Sequence, residues 1–576
     1  MARFLSGMLF AFLCFCVPAL AAGQAASPGS TPTFQVNANL VVLDVTVTDS
    51  HGDAVRGLTP SDFTVLENGR QQTIRIFREH TAGEQATAPA VPRLAPGTFT
   101  NYTPIPATGP INILLFDALN TPVADWGFAQ KEVQKYLKEY PPGAPMAIFG
   151  LSSQLRLLQG FTSDPETLRA ALNGKALKEL WNNLGVFGQM KRTANGLFYG
   201  YGRRGDMEQI RISYTLGAFN QLGRYLSSIP GRKNLIWISA SFPINNLAGP
   251  GALGVMPDIL VSFEDEFRDT TDLLDRSQVA VYPVDARGLM VGPIASAAHA
   301  RAPGPQTESN FLTTIEYEHQ AMTEIADGTG GKAFVNTNGI AKAVAEAVED
   351  GADYYMIAYT PADQRWNGRY RNVHIQVARH GVALAYRHGY YADDPDAPIH
   401  PDRAANAPNA PAPYNAMDAA MEWGSPGPTQ ILFDASVRPF AGISPRLAPG
   451  NRKTAKMKGP YRSYSVRFDL DPRELDCAPA PGTVHQCLLD SVVFVYNADG
   501  TRVNLQADRL RLSIPPARWK AWSRSDLHFR RTISVPVKGD YFLRIGVLDD
   551  RSGRIGALEV PVTSVSKLSS LSARLN

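Results

Sequence analysis

Hydrophobic residues recur at different periods along this chain, and the changes of period divide it. Over residues 34–80 they largely alternate with polar ones: Phe34, Val36, then Val42, Leu43, Val45 and Val47, then Phe63 and Val65, then Ile74 and Ile76. A period near two marks strands with one covered face. The turn sequences Ser50-His51-Gly52-Asp53 and Glu67-Asn68-Gly69 interrupt the alternation, and Asn-Gly between extended runs is a hairpin signal. The pattern predicts an N-terminal antiparallel β unit over 34–80. Residues 81–110 lose all apolar period and are rich in Ala, Thr, Pro and Gly, which reads as a linker.

Between 111 and 350 the pattern changes again. Ile111 to Phe116, Met146 to Leu151, Asn234 to Ser239 and Val279 to Val284 are apolar runs of the kind found in strands buried on both faces, with Lys332 to Val335 a shorter one. Between them, Trp126, Ala129, Val133, Tyr136, Leu137 and Tyr140 stand at helical spacing, and further helical segments fall around 208–228, 261–276, 311–326 and 339–348. Alternating strands and helices predict an α/β domain with a doubly wound, mostly parallel sheet. Closing strands occupy 352–392, a second Pro- and Ala-rich linker 393–426, and short strands separated by turns such as Asn497-Ala498-Asp499-Gly500 predict a C-terminal β-sandwich over 427–576. The β pieces 34–80 and 352–392 either pair into one sandwich with the α/β domain inserted or stand apart.

Composition narrows the setting. At 576 residues, with 44% hydrophobic and 19% charged, the chain is an ordinary multidomain globular protein. A formal charge of +3 creates no field that gathers nucleic acid. Residues 1–21 read as a cleavable export signal, with Arg3 as the positive flank, an apolar stretch from Leu9 to Val17 and Ala19-Leu20-Ala21 as a small-x-small site; an uncleaved anchor is the other reading. No later run is long enough to span a bilayer, so the mature chain is expected to be secreted or periplasmic with no transmembrane segment. Cys477 and Cys487 would then be the remaining cysteines, flanking a Pro- and Gly-rich turn, and an oxidising compartment predicts a disulfide between them.

Several phrases, in order, resemble the von Willebrand factor A (VWFA)-related domain proteins of acidobacteria over residues 34–392. They are VVLDVTVTDSHGDAVRGLTPSDFTVLENG (Val41 to Gly69), PGRKNLIWIS (Pro230 to Ser239), VAVYPVDARGL (Val279 to Leu289), ADGTGGKAFVNTN (Ala326 to Asn338), YYMIAYTP (Tyr354 to Pro361) and YRHGYYA (Tyr386 to Ala392). The resemblance implies a von Willebrand factor A-type fold flanked by β-sandwich-like domains, with a metal-dependent adhesion site at the carboxyl ends of the strands. In that family a first loop reads D-x-S-x-S, a second supplies Thr and a third supplies Asp, holding a hard cation with oxygen ligands. Here the first loop is FDALNT. Asp117 matches the first acid and Thr121 the second Ser, while Leu119 offers no oxygen and Asn120 only an amide. Thr215 is the candidate for the second loop, unless it is an ordinary helical residue. The third loop is Ser239-Ala240-Ser241, without a carboxylate; Asp285 either supplies one or serves its own turn and Arg287.

Asp117 and Thr121 are therefore the residues expected for a degenerate Mg²⁺ or Mn²⁺ site, with no cofactor otherwise implied. Asp117, Asn120, Thr121, Thr215, Ser239 and Ser241 are expected to form a rim that meets a protein partner. The Gly cluster in ADGTGGKA departs from the phosphate-loop pattern at Ala326 and Ala333. No nucleophile elbow or zinc helix occurs, and the histidines at 374, 380 and 388 do not share a strand face. The basic-aromatic RWNGRYR (Arg365 to Arg371) is a hairpin tip or a contact patch. The aromatic excursion at 173–210 is an interface anchor or packs on its own domain. The expectation is an exported, non-enzymatic adhesion or scaffold protein; the alternatives are a cell-envelope hydrolase and a purely structural envelope component.

Overall fold

The structure, a computed structural model, describes residues 40–81, 94–103, 105, 110–139, 145–182, 191–192, 198–199, 204–242, 257–290, 305–393, 416–479 and 484–570. The expected export signal, Phe34 and Val36, and much of the excursion lie outside them.

In chain order come β1 (Val41–Thr48), β2 (Phe63–Glu67), β3 (Arg70–Gln72), β4 (Ile74–His80), β5 (Thr98–Thr100), β6 (Ile111–Asp117), α1 (Val123–Glu139), β7 (Met146–Leu151) and β8 (Leu155–Thr162). Next are α2 (Pro165–Asn173), α3 (Lys175–Asn182), the two-residue strands β9 (Lys191–Arg192) and β10 (Phe198–Tyr199), α4 (Arg204–Leu226), β11 (Lys233–Ser239), α5 (Pro257–Arg276), β12 (Val279–Asp285), α6 (Pro305–Thr329) and α7 (Ile340–Asp350). Then follow β13 (Tyr354–Tyr359), β14 (Tyr370–Val377), β15 (Ala383–Ala385), β16 (Gly389–Tyr391) and α8 (Ala416–Ala420). The C-terminal part holds β17 (Phe433–Ser444), β18 (Arg452–Lys453), β19 (Tyr461–Leu470), β20 (Ala478–Pro479), β21 (His485–Asn497), β22 (Arg502–Ile514), α9 (Pro516–Trp522), β23 (Leu527–Pro536), β24 (Tyr541–Asp549) and β25 (Ile555–Pro561).

The expected doubly wound, mostly parallel von Willebrand factor A-type fold is corrected. Among the described residues strand exceeds helix, 39% to 28%, and every sheet but one is wholly antiparallel. Parallel pairing is confined to a mixed five-stranded sheet of order β12-β11-β6-β7-β8, in which β8 runs antiparallel. The reason for β8 is local. Only Ser152 to Gln154 separate it from β7, and a connection that short can make a hairpin but no crossover. The expected strand at Lys332 to Val335 is reduced to one bridge, Val284 with Phe334.

Within the mixed sheet every residue of β6, β7, β11 and β12 is buried. Alternate side chains feed two cores. Ile113, Leu115 and Trp237 pack with Leu216, Phe219 and Leu222 of α4, while Leu114 and Phe116 pack with Trp126 and Val133 of α1 and Val344 of α7. Aligned carboxyl ends therefore bring the loops after β6, β11 and β12 together.

Chain segments distant in sequence close the outer units. β1 pairs with β13 and β15, and β2 with β14, all antiparallel, around a core of Leu43, Val45, Val65, Ile357 and Ile375. The Asn68-Gly69 turn joins β2 to β3 with both residues at positive φ (48° and 78°), the conformation that favours Asn-Gly. Part of the segment read as a linker is built into a sheet: β5 pairs with β17, and the Asn101 amide donates to Pro428 O and Ile431 O while accepting from Phe433 N. Thr-Phe-Thr is suited to an edge strand, but its partner lies more than 300 residues away. The C-terminal strands enclose a third core, with Val466, Phe468, Val493, Ile545 and Val560 at its centre. Cys477 and Cys487 are joined as a disulfide, tying β20 beside β21.

Beneath the first unit lies a charge network. Glu67 and Arg371, each with a side chain 3% exposed, pair at 3.2 Å, and the other Glu67 oxygen accepts from the hydroxyls of Tyr359 and Tyr390 at 2.9 Å. Removing one partner strands a buried charge. Glu67→Ala is expected to destabilise the fold by about 3–5 kcal/mol in urea denaturation, whereas a change below about 1 kcal/mol would show the pair to be dispensable. The disulfide closes a short loop, a sequence separation of 10. Replacing both cysteines with Ser is expected to cost about 2–3 kcal/mol in the same assay.

Candidate functional site

β6 ends inside the apolar layer, so its last residue, Asp117, carries a fully buried carboxylate. An isolated charge there would be prohibitive, and the surrounding loops supply donors. Oδ1 accepts from Asn120 N at 2.9 Å. Oδ2 accepts from Asn120 Nδ2 at 2.7 Å, Trp237 Nε1 at 3.0 Å and Ser239 Oγ at 2.9 Å. Burial nevertheless pushes the Asp117 carboxyl above the ordinary value, with these hydrogen bonds opposing the shift.

The network continues into α4. Asn120 Nδ2 also reaches Thr215 Oγ1 at 2.8 Å, and Thr215 in turn donates to Arg211 O. The Arg211 guanidinium donates from Nε to Asn120 Oδ1 at 2.9 Å and from Nη2 to Ser241 Oγ at 2.6 Å. Ser241 Oγ donates to Asn120 O, and Ala240 N donates to Thr121 Oγ1 at 3.1 Å. All six residues expected at the rim (Asp117, Asn120, Thr121, Thr215, Ser239 and Ser241) are thus brought together, and all six are buried. They form the closed floor beneath the surface.

This donor set does not fit a divalent cation. Both Asp117 oxygens accept hydrogen bonds, and Thr121 Oγ1 receives a backbone N–H. Leu119 is buried in the core, and Ala240 offers only its backbone. The positive charge nearest this network in the hydrogen-bond pattern is Arg211, two bonds from Asp117 by way of Asn120. Among the described residues no cluster of three or more His, Cys, Asp or Glu is arranged to hold a metal. Sequence reasoning missed Arg211 and Trp237. The Arg211–Thr215 spacing of four on a helix was the signal for the first, since it puts both on one face; nothing in the sequence marked the indole.

Beside this floor, at the end of β12, Asp285 serves its own turn. It accepts from Arg287 N, Nε and Nη2 at 2.9–3.0 Å and lies 2.7 Å from His319 Nε2. Arg287 also pairs with Glu318 at 2.6 Å. Burial acts to raise the Asp285 carboxyl, but the hydrogen bonds from His319 and Arg287 outweigh it and hold it below the ordinary value. Asp285 therefore belongs to a cluster separate from the Asp117 network. RWNGRYR holds a buried cation at Arg371 and an Asp363-paired one at Arg365.

Three large apolar side chains are exposed on α1 and on the turn after β12. Val123, Phe128 and Leu289 are 51%, 39% and 58% exposed. Phe128 lies against the turn at Gly288, where an added Cβ would come within 3.6 Å of its ring, and Leu289 N is held by Asn338 Oδ1 at 2.7 Å.

No family model matches the chain, and no curated protein does. Among solved structures, an aerotolerance-related membrane protein from Bacteroides fragilis is 13% identical, with 42% of this chain and 98% of that one covered and a TM-score of 0.23. The conserved hypothetical protein BatB from Bacteroides thetaiotaomicron is 15% identical, covering 42% and 99%, with a TM-score of 0.22. The pilus adhesin SpaC from Lactobacillus rhamnosus is 9% identical over 84% of this chain and 57% of that one, with a TM-score of 0.23. At these scores the likenesses carry no argument about fold or function.

Two predictions follow from the networks. Asp117→Ala removes the acceptor of four hydrogen bonds and is expected to destabilise by about 3–5 kcal/mol in urea denaturation; a near-neutral change would mean the carboxylate is not the hub. For Asp285, a folded pKa below the unfolded value means stability that is present above about pH 4 and lost as pH falls through the folded value. The gap in melting temperature between the wild type and Asp285→Asn should be wide at neutral pH and narrow below about pH 4. A gap independent of pH would contradict the assignment.

Proposed function

We propose that this chain is an exported, non-enzymatic binding protein of the cell envelope, of adhesion or scaffold type, that meets a protein partner at the carboxyl edge of its mixed sheet without a metal. The observation that carries the reading is that Val123, Phe128 and Leu289 are exposed on α1 and the turn after β12 while the polar residues at the ends of β6 and β11 are buried and bonded to one another. Large exposed apolar side chains are the type of group that anchors protein interfaces. The disulfide supports an oxidising compartment, as do the phrases resembling the acidobacterial family. Among the described residues no helix is long and apolar enough to cross a membrane.

The enzymatic alternative would draw on Asp–His contacts, of which Asp285–His319 is the more buried and His528–Asp469 lies at the surface. Both Asp285 oxygens are bound by Arg287, whose position beside Glu318 makes a structural ion network the better account.

The test is a photo-crosslinking amino acid placed at 128 or 289 in cells that produce the protein. Discrete adducts at both positions, absent from a control at exposed Arg379 and unchanged by a chelator, are expected. No adduct, or one abolished by chelation, would overturn the reading.

A further inference from the structure

The C-terminal unit carries a second surface of different chemistry. Between β22 and β23 the chain leaves the sheets to form α9, in which no residue is buried. Its two tryptophans are only partly covered. Trp519 stacks on His485 at 3.9 Å and 11°, and Trp522 lies beside it at 5.4 Å. His485 begins β21, which the Cys477–Cys487 disulfide ties to β20, so the platform under the indoles is fixed.

Cations accompany these rings along the chain. From Pro515 to Arg531 the sequence carries Arg518, Lys520, Arg524, Arg530 and Arg531 against a single acid, Asp526, and Arg511 lies just upstream in β22. Arg509 is paired with Asp490 and Asp550, and Arg531 with Asp508. Exposed Arg511, Arg518, Lys520 and Arg524 have no ion-pair partner among the described residues.

We propose that α9 and its flanks are a docking surface for an anionic membrane. Indoles at the surface combine an apolar body with a polar N–H, which suits the headgroup boundary of a bilayer. Unpaired Lys and Arg beside them meet lipid phosphates, and the two contributions act together on one short interfacial helix. A seven-residue helix cannot span a bilayer, so the contact is peripheral. An acidic glycan is the less favoured partner. Sugar rings bind on open aromatic faces, and one face of Trp519 is already covered by His485. The proposal concerns a different face from the apolar edge of the mixed sheet and stands independently of it.

The experiment is flotation of the full chain with vesicles of phosphatidylcholine alone or mixed with phosphatidylglycerol. The protein is expected to float with the anionic vesicles, less so as salt rises, and not with the neutral ones. Arg518→Glu/Lys520→Glu/Arg524→Glu is expected to weaken partitioning at least about tenfold at unchanged melting temperature, and Trp519→Ser/Trp522→Ser to weaken it as well. Both variants keep the wild-type N-terminus, so that segment cannot account for a difference. Equal flotation of the charge-reversed variant would overturn the proposal. So would failure of the wild type to float while a soluble acidic polysaccharide retains it.

Discussion

The carboxylate of Asp117 is the constraint on which the carboxyl edge depends. It ends a strand buried on both faces, and burying it is tolerable only because its own loop, the β11 indole and Ser239 at the end of β11 all aim donors at it. Asn120 passes the network to Thr215 and Arg211, so a single charge fixes the loop after β6, the end of β11 and one face of α4. A fully connected buried network resists partial change, because losing any member leaves others unpaired. The network therefore holds the ends of β6 and β11 and one face of α4 in one arrangement.

That rigidity divides the labour between surfaces. The polar groups at the ends of β6 and β11 bond one another inside, and among the described residues nearby Val123, Phe128 and Leu289 are the large apolar side chains exposed to solvent. At the far C-terminal unit the balance is reversed, with unpaired cations and half-covered indoles on α9. The two surfaces are anchored to one body: Thr429 bonds the carbonyls of Arg224 and Tyr225 at the end of α4, and Leu157 N bonds Gly424 O. A protein that holds a partner at one face and a bilayer at the other would tether the first to the second.

Much of the local structure was legible in the chain. The apolar runs at 111–116, 146–151, 234–239 and 279–284 are buried strands because a continuous apolar run has no solvent face to spare. The Asn68-Gly69 turn was legible because few residues other than Asn and Gly accept positive φ there. The class of the whole fold was misread. Parallel pairing extends over one mixed sheet only, since β8 follows a three-residue turn and the flanking segments pair antiparallel. Thr98–Thr100 was invisible as a strand because nothing local to it specifies β17 as its neighbour. At the site, residue identities were legible and their exposure was not. Ser, Thr, Asn and Asp read equally well as ligands for a visitor or as partners for one another, and only the placement of Arg211 and Trp237 decides between them.

Protein donors occupy both Asp117 oxygens and leave no open position there for a cation. Calorimetric titration of the purified chain with Mg²⁺ and then Mn²⁺, with Asp117→Asn as control and melting temperature followed in parallel, tests this directly. The account predicts no binding heat and no rise in melting temperature with either ion. Stoichiometric heat that disappears in the control would show that the donors give way to a cation, and would contradict it.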